Sequence, residues 1–228
     1  MMVVCVIPEL NEESTISKVV QGAKKYCDSV IVVDDGSTDE TAVKAREAGA
    51  KVIEHIVTLG TGAALLTGFK AALKAGAEVL LTMDGDGQHD PEDAPRLLKP
   101  ILDGEADMVI GSRFLGEPKG MPFHKRVGNK MLSALTSIVC GRKITDSQSG
   151  FRAYSRKVLE TVMHEAPDYA WASEILTLAC EKGFRVKEVP IKTIYFKRRF
   201  RGASILDGAK IFYETLKPKP KIKRKPTG

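Results

Sequence analysis

The sequence predicts an α/β fold built on a mostly parallel, doubly wound sheet with helices on its faces. Three observations predict it. Apolar, valine-rich runs alternate with amphipathic stretches four times in about a hundred residues. The first, second and fourth runs are closed by Pro8, Asp34 and Asp84. The turns after the first, second and fourth runs carry acids, and ligands in open α/β sheets bind at the carboxyl ends of strands.

Met2 to Ile7 reads as the first strand, closed by Pro8. Asn11 is placed as a helix N-cap, with Glu12 and Glu13 suited to a first turn. Ile16, Val19, Val20 and Ala23 then fall at helical spacing and carry the helix to about Tyr26. Val30 to Val33 is the second strand, ending in Asp34-Asp35-Gly36-Ser37. Ser37 and Glu40 form a capping-box signature for a helix that runs to Ala48 and stops at Gly49. Lys51 to Ile56 is the third strand, and Gly60-Thr61-Gly62 opens an alanine-rich helix ending near Gly76. Glu78 to Met83 is the fourth strand, Pro91 to Leu102 a helix and Asp107 to Ile110 the fifth strand.

The second half changes style. Met121 to Arg142 reads as a helix with a basic start, and Thr145 to Arg156 as a polar loop or short strand leading into a helix. Tyr169 to Lys182 is a helix, Phe184 to Tyr195 an alternating strand, and Lys197 to Gly202 a dense basic loop. Ser204 to Leu216 is a last helix, and the basic, proline-rich residues 217–228 are expected to be disordered.

Composition bounds the function. The chain has 228 residues, a net charge of +6 and ordinary apolar content, as a globular protein does. Cys5, Cys27, Cys140 and Cys180 are scattered without zinc spacing, so a reducing, cytoplasmic setting is expected. No signal peptide or membrane-spanning run is read. Aromatic content is only 6% and no recognition motif is present, so nucleic acid is not expected as a partner.

The chemistry centres on Asp84-Gly85-Asp86-Gly87. Two carboxylates two residues apart point the same way from extended backbone. At the end of a buried strand they suit a hard divalent cation, Mg2+ or Mn2+, shared with substrate phosphates. Arg113, Arg126, Arg152, Arg199 and Arg201 are available for phosphate, which arginine binds bidentately. Gly60 to Gly62 lacks the third glycine of a dinucleotide fingerprint, and PELNEE stands where that fingerprint would sit, which excludes a dehydrogenase.

PELNEE, VDDGSTDET, GTGAALLTGF, MDGDGQHDPED, IGSRF, DSQSGFRAYSR and RGAS stand in the order and rough spacing of family 2 glycosyltransferases. Across residues 1 to about 210 the chain most resembles the polyprenyl-phosphate sugar synthases of the dolichyl-phosphate mannose synthase type. The resemblance implies a GT-A fold in which residues 1–115 form a Rossmann-like, nucleotide-sugar half and 116–210 an acceptor half. It implies nucleotide-sugar contacts at Pro8, Leu10, Glu12, Val33, Asp35, Asp84, Gly85, Asp86, Gln88, Arg113 and Arg199. It further implies a metal held by Asp84, Asp86 and Gln88, an acceptor phosphate met by Arg113, Arg126 and Arg152, and catalytic roles for Asp86, Arg113 and Arg152. Leu10, Thr61 and Ile205 stand where the family commonly has an aromatic, a cation and a lysine, which leaves the donor open.

The implied reaction is inverting, metal-dependent transfer of a hexose from GDP-mannose or UDP-glucose to a polyprenyl phosphate. An already anionic phosphate acceptor needs no base; a hydroxyl acceptor would need one, with Asp146 or Glu174 as candidates. Extension of a soluble or lipid-linked saccharide and non-catalytic binding of a nucleotide sugar are the alternatives. The basic tail and the helix near residues 121–140 are expected to hold the protein peripherally on the anionic, cytoplasmic face of a membrane.

Overall fold

The computed structural model describes residues 1–116, 120–165 and 172–194. The expectations for Arg199 and its basic loop, for Arg201, for the last helix and for the tail lie outside the described residues.

Seven strands form one sheet: β1 (Val3–Glu9), β2 (Ser29–Asp34), β3 (Lys51–Glu54), β4 (Val79–Thr82), β5 (Met108–Ser112), β6 (Arg152–Ser155) and β7 (Val186–Pro190). Their spatial order is β3-β2-β1-β4-β6-β5-β7. The helices are α1 (Ile16–Ala23), α2 (Thr41–Glu47), α3 (Thr61–Lys74), α4 (Ala94–Leu102), α5 (Phe123–Val139), α6 (Arg156–Glu165) and α7 (Ala172–Glu181). A short 3-10 turn, Pro91–Asp93, precedes α4.

The valine-rich runs become central strands because both faces of the sheet are covered. Along β1, Val3, Cys5 and Ile7 face the core beneath α1 and α4, with Ile16, Val20 and Leu97. Val4 and Val6 face the other core, with Phe69, Val158 and Leu176. Gly68 lets α3 lie close to β1, since a Cβ there would overlap a Val6 methyl group.

The strands of the first half are parallel, as expected, and the structure pairs β1 with β2 and β4, and β2 with β3. The stretch read as a loop or short strand supplies β6, which lies antiparallel between β4 and β5. Both halves of the chain therefore share one sheet. Thr82 at the end of β4 and Ile110 in β5 are both paired with Arg152, the first residue of β6. An antiparallel strand starts where its parallel neighbours end, so the loop before β6 arrives at the edge bearing the acidic turns.

Two expected caps are corrected. Ser37 does not cap α2, whose N-cap Glu40 makes no side-chain capping bond; the Ser37 hydroxyl instead accepts a hydrogen bond from the Asn11 N–H at 2.9 Å. Asn11 does not cap α1, which begins at Ile16. Its φ is +58°, and its side-chain oxygen accepts from the Thr38 N–H at 2.8 Å. These caps fail because the first two strand-to-helix turns are stitched to each other rather than to their own helices.

Candidate active site

The carboxyl ends of β1, β2, β4 and β5 and the amino end of β6 meet at one sheet edge. That edge gathers Glu9, Asp35, Asp84, Asp86, Arg113 and the residue 147–151 loop. Sequence reading named four of these five side chains, and Glu9 is the one it missed.

Asp84 and Asp86 follow β4, with Asp84 about half exposed. The carboxylate of Asp86 accepts from the Gln88 N–H at 2.9 Å. Burial, and then the neighbouring Asp84 charge, push the Asp86 carboxyl above its ordinary range; the Gln88 N–H, His89 and Lys125 oppose the shift. Lys125 of α5, read from the sequence only as part of a basic helix start, thus belongs electrostatically to this site. The Gln88 backbone tightens the turn through this bond and accepts at its carbonyl from the Ile194 N–H at 2.9 Å.

Glu9 lies buried beneath the motif and accepts a hydrogen bond from the Gly85 N–H. Burial first, then Asp84, raises its carboxyl well above the usual carboxylate range, while the Gly85 N–H acts in the opposite direction. Gly85 is required here, because a Cβ would overlap the Glu9 carboxylate. Gly150 has the matching role on the other side: a Cβ there would stand 2.5 Å from Oδ1 of Asp84. His89, buried and stacked on Phe151 with centroids 5.2 Å apart, backs the same turn.

Pro8 and Val33 are buried at the ends of their strands, and Leu10 is exposed beside them. The Glu12 N–H donates to the Thr41 hydroxyl at 2.8 Å, tying the first turn to α2. Asp35 is buried, and its carboxylate accepts from the N–H groups of Leu59 (3.0 Å) and Gly60 (2.7 Å) while contacting His55 Nδ1 at 2.7 Å. The other ring nitrogen of His55 lies 3.0 Å from the Thr67 hydroxyl. Asp35 therefore organises the turn that opens α3, with His55 as an unanticipated second member.

On the second-half side, Arg113 makes a bidentate pair with Asp146, both bonds at 2.7 Å, and its own N–H adds a third at 3.0 Å. Asp146 has no exposed side-chain surface and Arg113 is 14% exposed. Asp146 is thus engaged and enclosed, which removes it as a base for a hydroxyl acceptor. Arg152 is fully buried, and its guanidinium donates to the carbonyls of Ser149 (2.7 Å) and Ser147 (2.6 Å). This geometry sets Arg152 to shape the loop that leads to Gly150. Glu188 of β7 fixes the neighbouring segment, accepting from the N–H groups of Thr145 and Asp146.

Arg126 is exposed on α5 and lines an open groove of about 920 Å³ with Lys130, Lys143, Phe114, Leu115 and Ile138. Phe114 and Thr145, both on the wall, are chain neighbours of the Arg113–Asp146 pair. The groove therefore runs beside the acidic edge and is basic and apolar together.

Among the described residues no three His, Cys, Asp or Glu side chains cluster as a complete metal site. Two carboxylates two residues apart in the turn after β4 nonetheless fit a hard cation that completes its oxygen shell from a bound diphosphate. Burial first, and then the Asp84 charge, raise the proton affinity of Asp86, and a bound cation would offset both by supplying positive charge to the pair. Among the described residues, no helix is long and apolar enough to cross a membrane.

The model of the family described as Glycosyl transferase family 2 matches residues 4–163. The chain is 37% identical to a UDP-N-acetylglucosamine–dolichyl-phosphate N-acetylglucosaminyltransferase of Methanococcus voltae, over 94% of this chain and 95% of the relative. It is 36% identical to polyprenol monophosphomannose synthase of Mycolicibacterium smegmatis, over 90% and 81% of the two chains. Crystal structures of glucosyl-3-phosphoglycerate synthase from Mycobacterium tuberculosis share the fold. One holds Mn2+, UDP and phosphoglyceric acid, with a TM-score of 0.69 at 24% identity over 87% of this chain and 72% of that one. Another holds Mg2+ and UDP, with a TM-score of 0.67 at 25% identity over the same shares, 87% and 72%.

Proposed function

We propose, from the premise that this chain belongs to glycosyl transferase family 2, that it transfers a hexose from a nucleotide diphosphate to a polyprenyl phosphate with inversion. The observation that carries this reading is the Asp84–Asp86 pair, whose Asp86 feels the charge of Lys125 on α5, together with the basic, apolar groove that Arg126 and Lys130 of the same helix line. The names of the relatives from M. voltae and M. smegmatis, which cover nearly the whole chain, support a lipid-phosphate acceptor. GDP-mannose, UDP-glucose and, from the first of those names, UDP-N-acetylglucosamine are the donors to test.

Asp84 and Asp86, with the nearby Gln88, would hold Mg2+ or Mn2+, whose chemistry there would be to offset charge on the diphosphate leaving group. Glu9 fixes the Gly85 N–H and so the spacing of the two carboxylates. The first two strand-to-helix turns, with Pro8, Leu10, Glu12, Val33 and Asp35, frame the nucleoside end. Arg113 and Arg152 act by positioning: each clamps the 145–149 segment, and that segment sets Gly150 against Asp84. Arg126 and Lys130 meet the acceptor phosphate, whose oxygen is already ionised near neutral pH and needs no base. That agrees with Asp146 being closed off.

The test is transfer of labelled sugar from each donor to dolichyl phosphate, with and without Mn2+, by wild type and Asp86→Ala. Cation-dependent label in the organic phase, absent in a folded Asp86→Ala protein, is the expected result. Label appearing only on added saccharide would replace the acceptor assignment, and a fully active Asp86→Ala would remove the metal role.

A further inference from the structure

Residues 87–90 connect Asp86 to the 3-10 turn Pro91–Asp93 and draw support from a segment far away in the chain. That segment is the end of β7 and the four residues after it. The Ile191 N–H donates to the Ser112 carbonyl at 3.1 Å, His89 and Thr193 form an antiparallel bridge, and the Ile194 N–H donates to the Gln88 carbonyl at 2.9 Å. Residues 190–194 thus run from the end of β5 to the residue whose N–H closes the turn on the Asp86 carboxylate.

Asp93 fastens this segment. It stands at the N-cap of α4, where an aspartate ordinarily accepts from its own helix, yet it makes no side-chain capping bond. Its side chain is 4% exposed. One oxygen accepts from the Lys192 N–H at 2.7 Å and the other from Nη1 of Arg96 at 2.8 Å. The same Arg96 nitrogen donates to the Pro190 carbonyl at 3.0 Å. Ordering a connection costs conformational entropy, and charge-assisted bonds such as these are about twice as strong as neutral ones. The Thr193 hydroxyl is buried without a partner, so residue 193 is held through its main chain rather than its side chain.

We propose that Asp93 is a positioning residue for the acidic turn: it pins residues 190–194, and these hold Gln88 and through it the Asp86 carboxylate. Its effect on cation binding rests on the cation site proposed above, whereas the fastening itself does not. A role confined to stability would lower the unfolding midpoint and leave the cation affinity of the folded protein unchanged.

The test compares wild type with Asp93→Ala, Asp93→Asn and Thr193→Val. Amide hydrogen exchange is read without cation, and Mn2+ is titrated with UDP or GDP present. In Asp93→Ala the Gln88 and Ile194 amides are expected to exchange at least tenfold faster. Mn2+ affinity is expected to fall roughly tenfold, the lower end of the range for groups that orient metal ligands. Asparagine keeps an acceptor for the Lys192 N–H and should restore most of both losses. Thr193→Val removes only the unpartnered hydroxyl and should change neither by more than about twofold. Wild-type exchange at Gln88 in a folded Asp93→Ala protein overturns the proposal, and so does faster exchange with unchanged Mn2+ affinity. Should Asp93→Ala misfold, Arg96→Ala loosens the other tie from a side chain that is 51% exposed. It should speed Ile194 exchange and weaken Mn2+ binding by about threefold each, and no change in either refutes the fastening. A wild type that binds no Mn2+ with either nucleotide sinks the cation site; faster exchange in Asp93→Ala then still supports the fastening, and unchanged exchange sinks both.

Discussion

Replacing Gly150 with alanine separates the stability of the fold from the integrity of the carboxylate pair. The new Cβ would stand 2.5 Å from Oδ1, 2.7 Å from Oδ2 and 2.9 Å from Cγ of Asp84. Ordinary contact begins near 3.4 Å, so the carboxylate must retreat by about 0.9 Å. The Asp84 side chain is 45% exposed and can swing, so the fold should lose no more than about 1 kcal/mol. Cation sites tolerate ligand displacements of only ~0.2 Å, so cation affinity in the presence of nucleotide should fall roughly 10–100-fold. A misplacement near 1 Å can itself cost about a hundredfold in rate. Urea unfolding, Mn2+ titration with GDP or UDP present, and the transfer assay together read these quantities. An alanine variant with wild-type Mn2+ affinity and rate would refute Asp84 as a ligand. A loss above about 2 kcal/mol would refute the claim that Asp84 absorbs the clash.

The other expectations concern the residues behind the site. Glu9 has a folded-state pKa raised by burial, so the native state holds its proton where the unfolded state has released it, and stability falls as pH rises through that window. Glu9→Gln keeps an acceptor for the Gly85 N–H and removes the ionisable group. The cation-free variant should be the more stable protein at pH 8, with the gap closing below about pH 4; an equal gap at both pH values, read by urea unfolding, contradicts this. Asp146→Asn removes the buried charge paired with Arg113 and should cost about 3 kcal/mol. Its residual activity should keep the wild-type pH profile, whereas a lost acid limb would restore Asp146 as a base. Gly68→Ala drives a Cβ into Val6 and should cost about 1–3 kcal/mol by thermal melting, with no change in nucleotide affinity.

The sequence by itself determined the strands and helices of the first half, because each buried run and each amphipathic stretch is local and periodic. It also determined the gathering of Asp35, Asp84 and Asp86 on one edge, since parallel strands with right-handed crossovers leave their carboxyl ends together. The seven ordered motifs carried the family assignment that the comparisons show. Only the tertiary structure decided what depends on partners distant in the chain. Asn11 and Ser37 read as caps because their own neighbours suggested it, but each found its partner across 26 residues or more. Arginines at 113 and 152 read as phosphate ligands because arginine type is visible and its partner is not; Asp146 and two loop carbonyls engage them. Glu9 looked like one more residue of a turn, and only pairing of β1 with β4 puts it beneath Gly85, 76 residues away. Hydrophobic period and turn chemistry act over a few residues, so a sequence records them directly. Ion pairs and close approaches across a sheet depend on strand order, and the antiparallel β6, which sets that order here, rests on long-range packing.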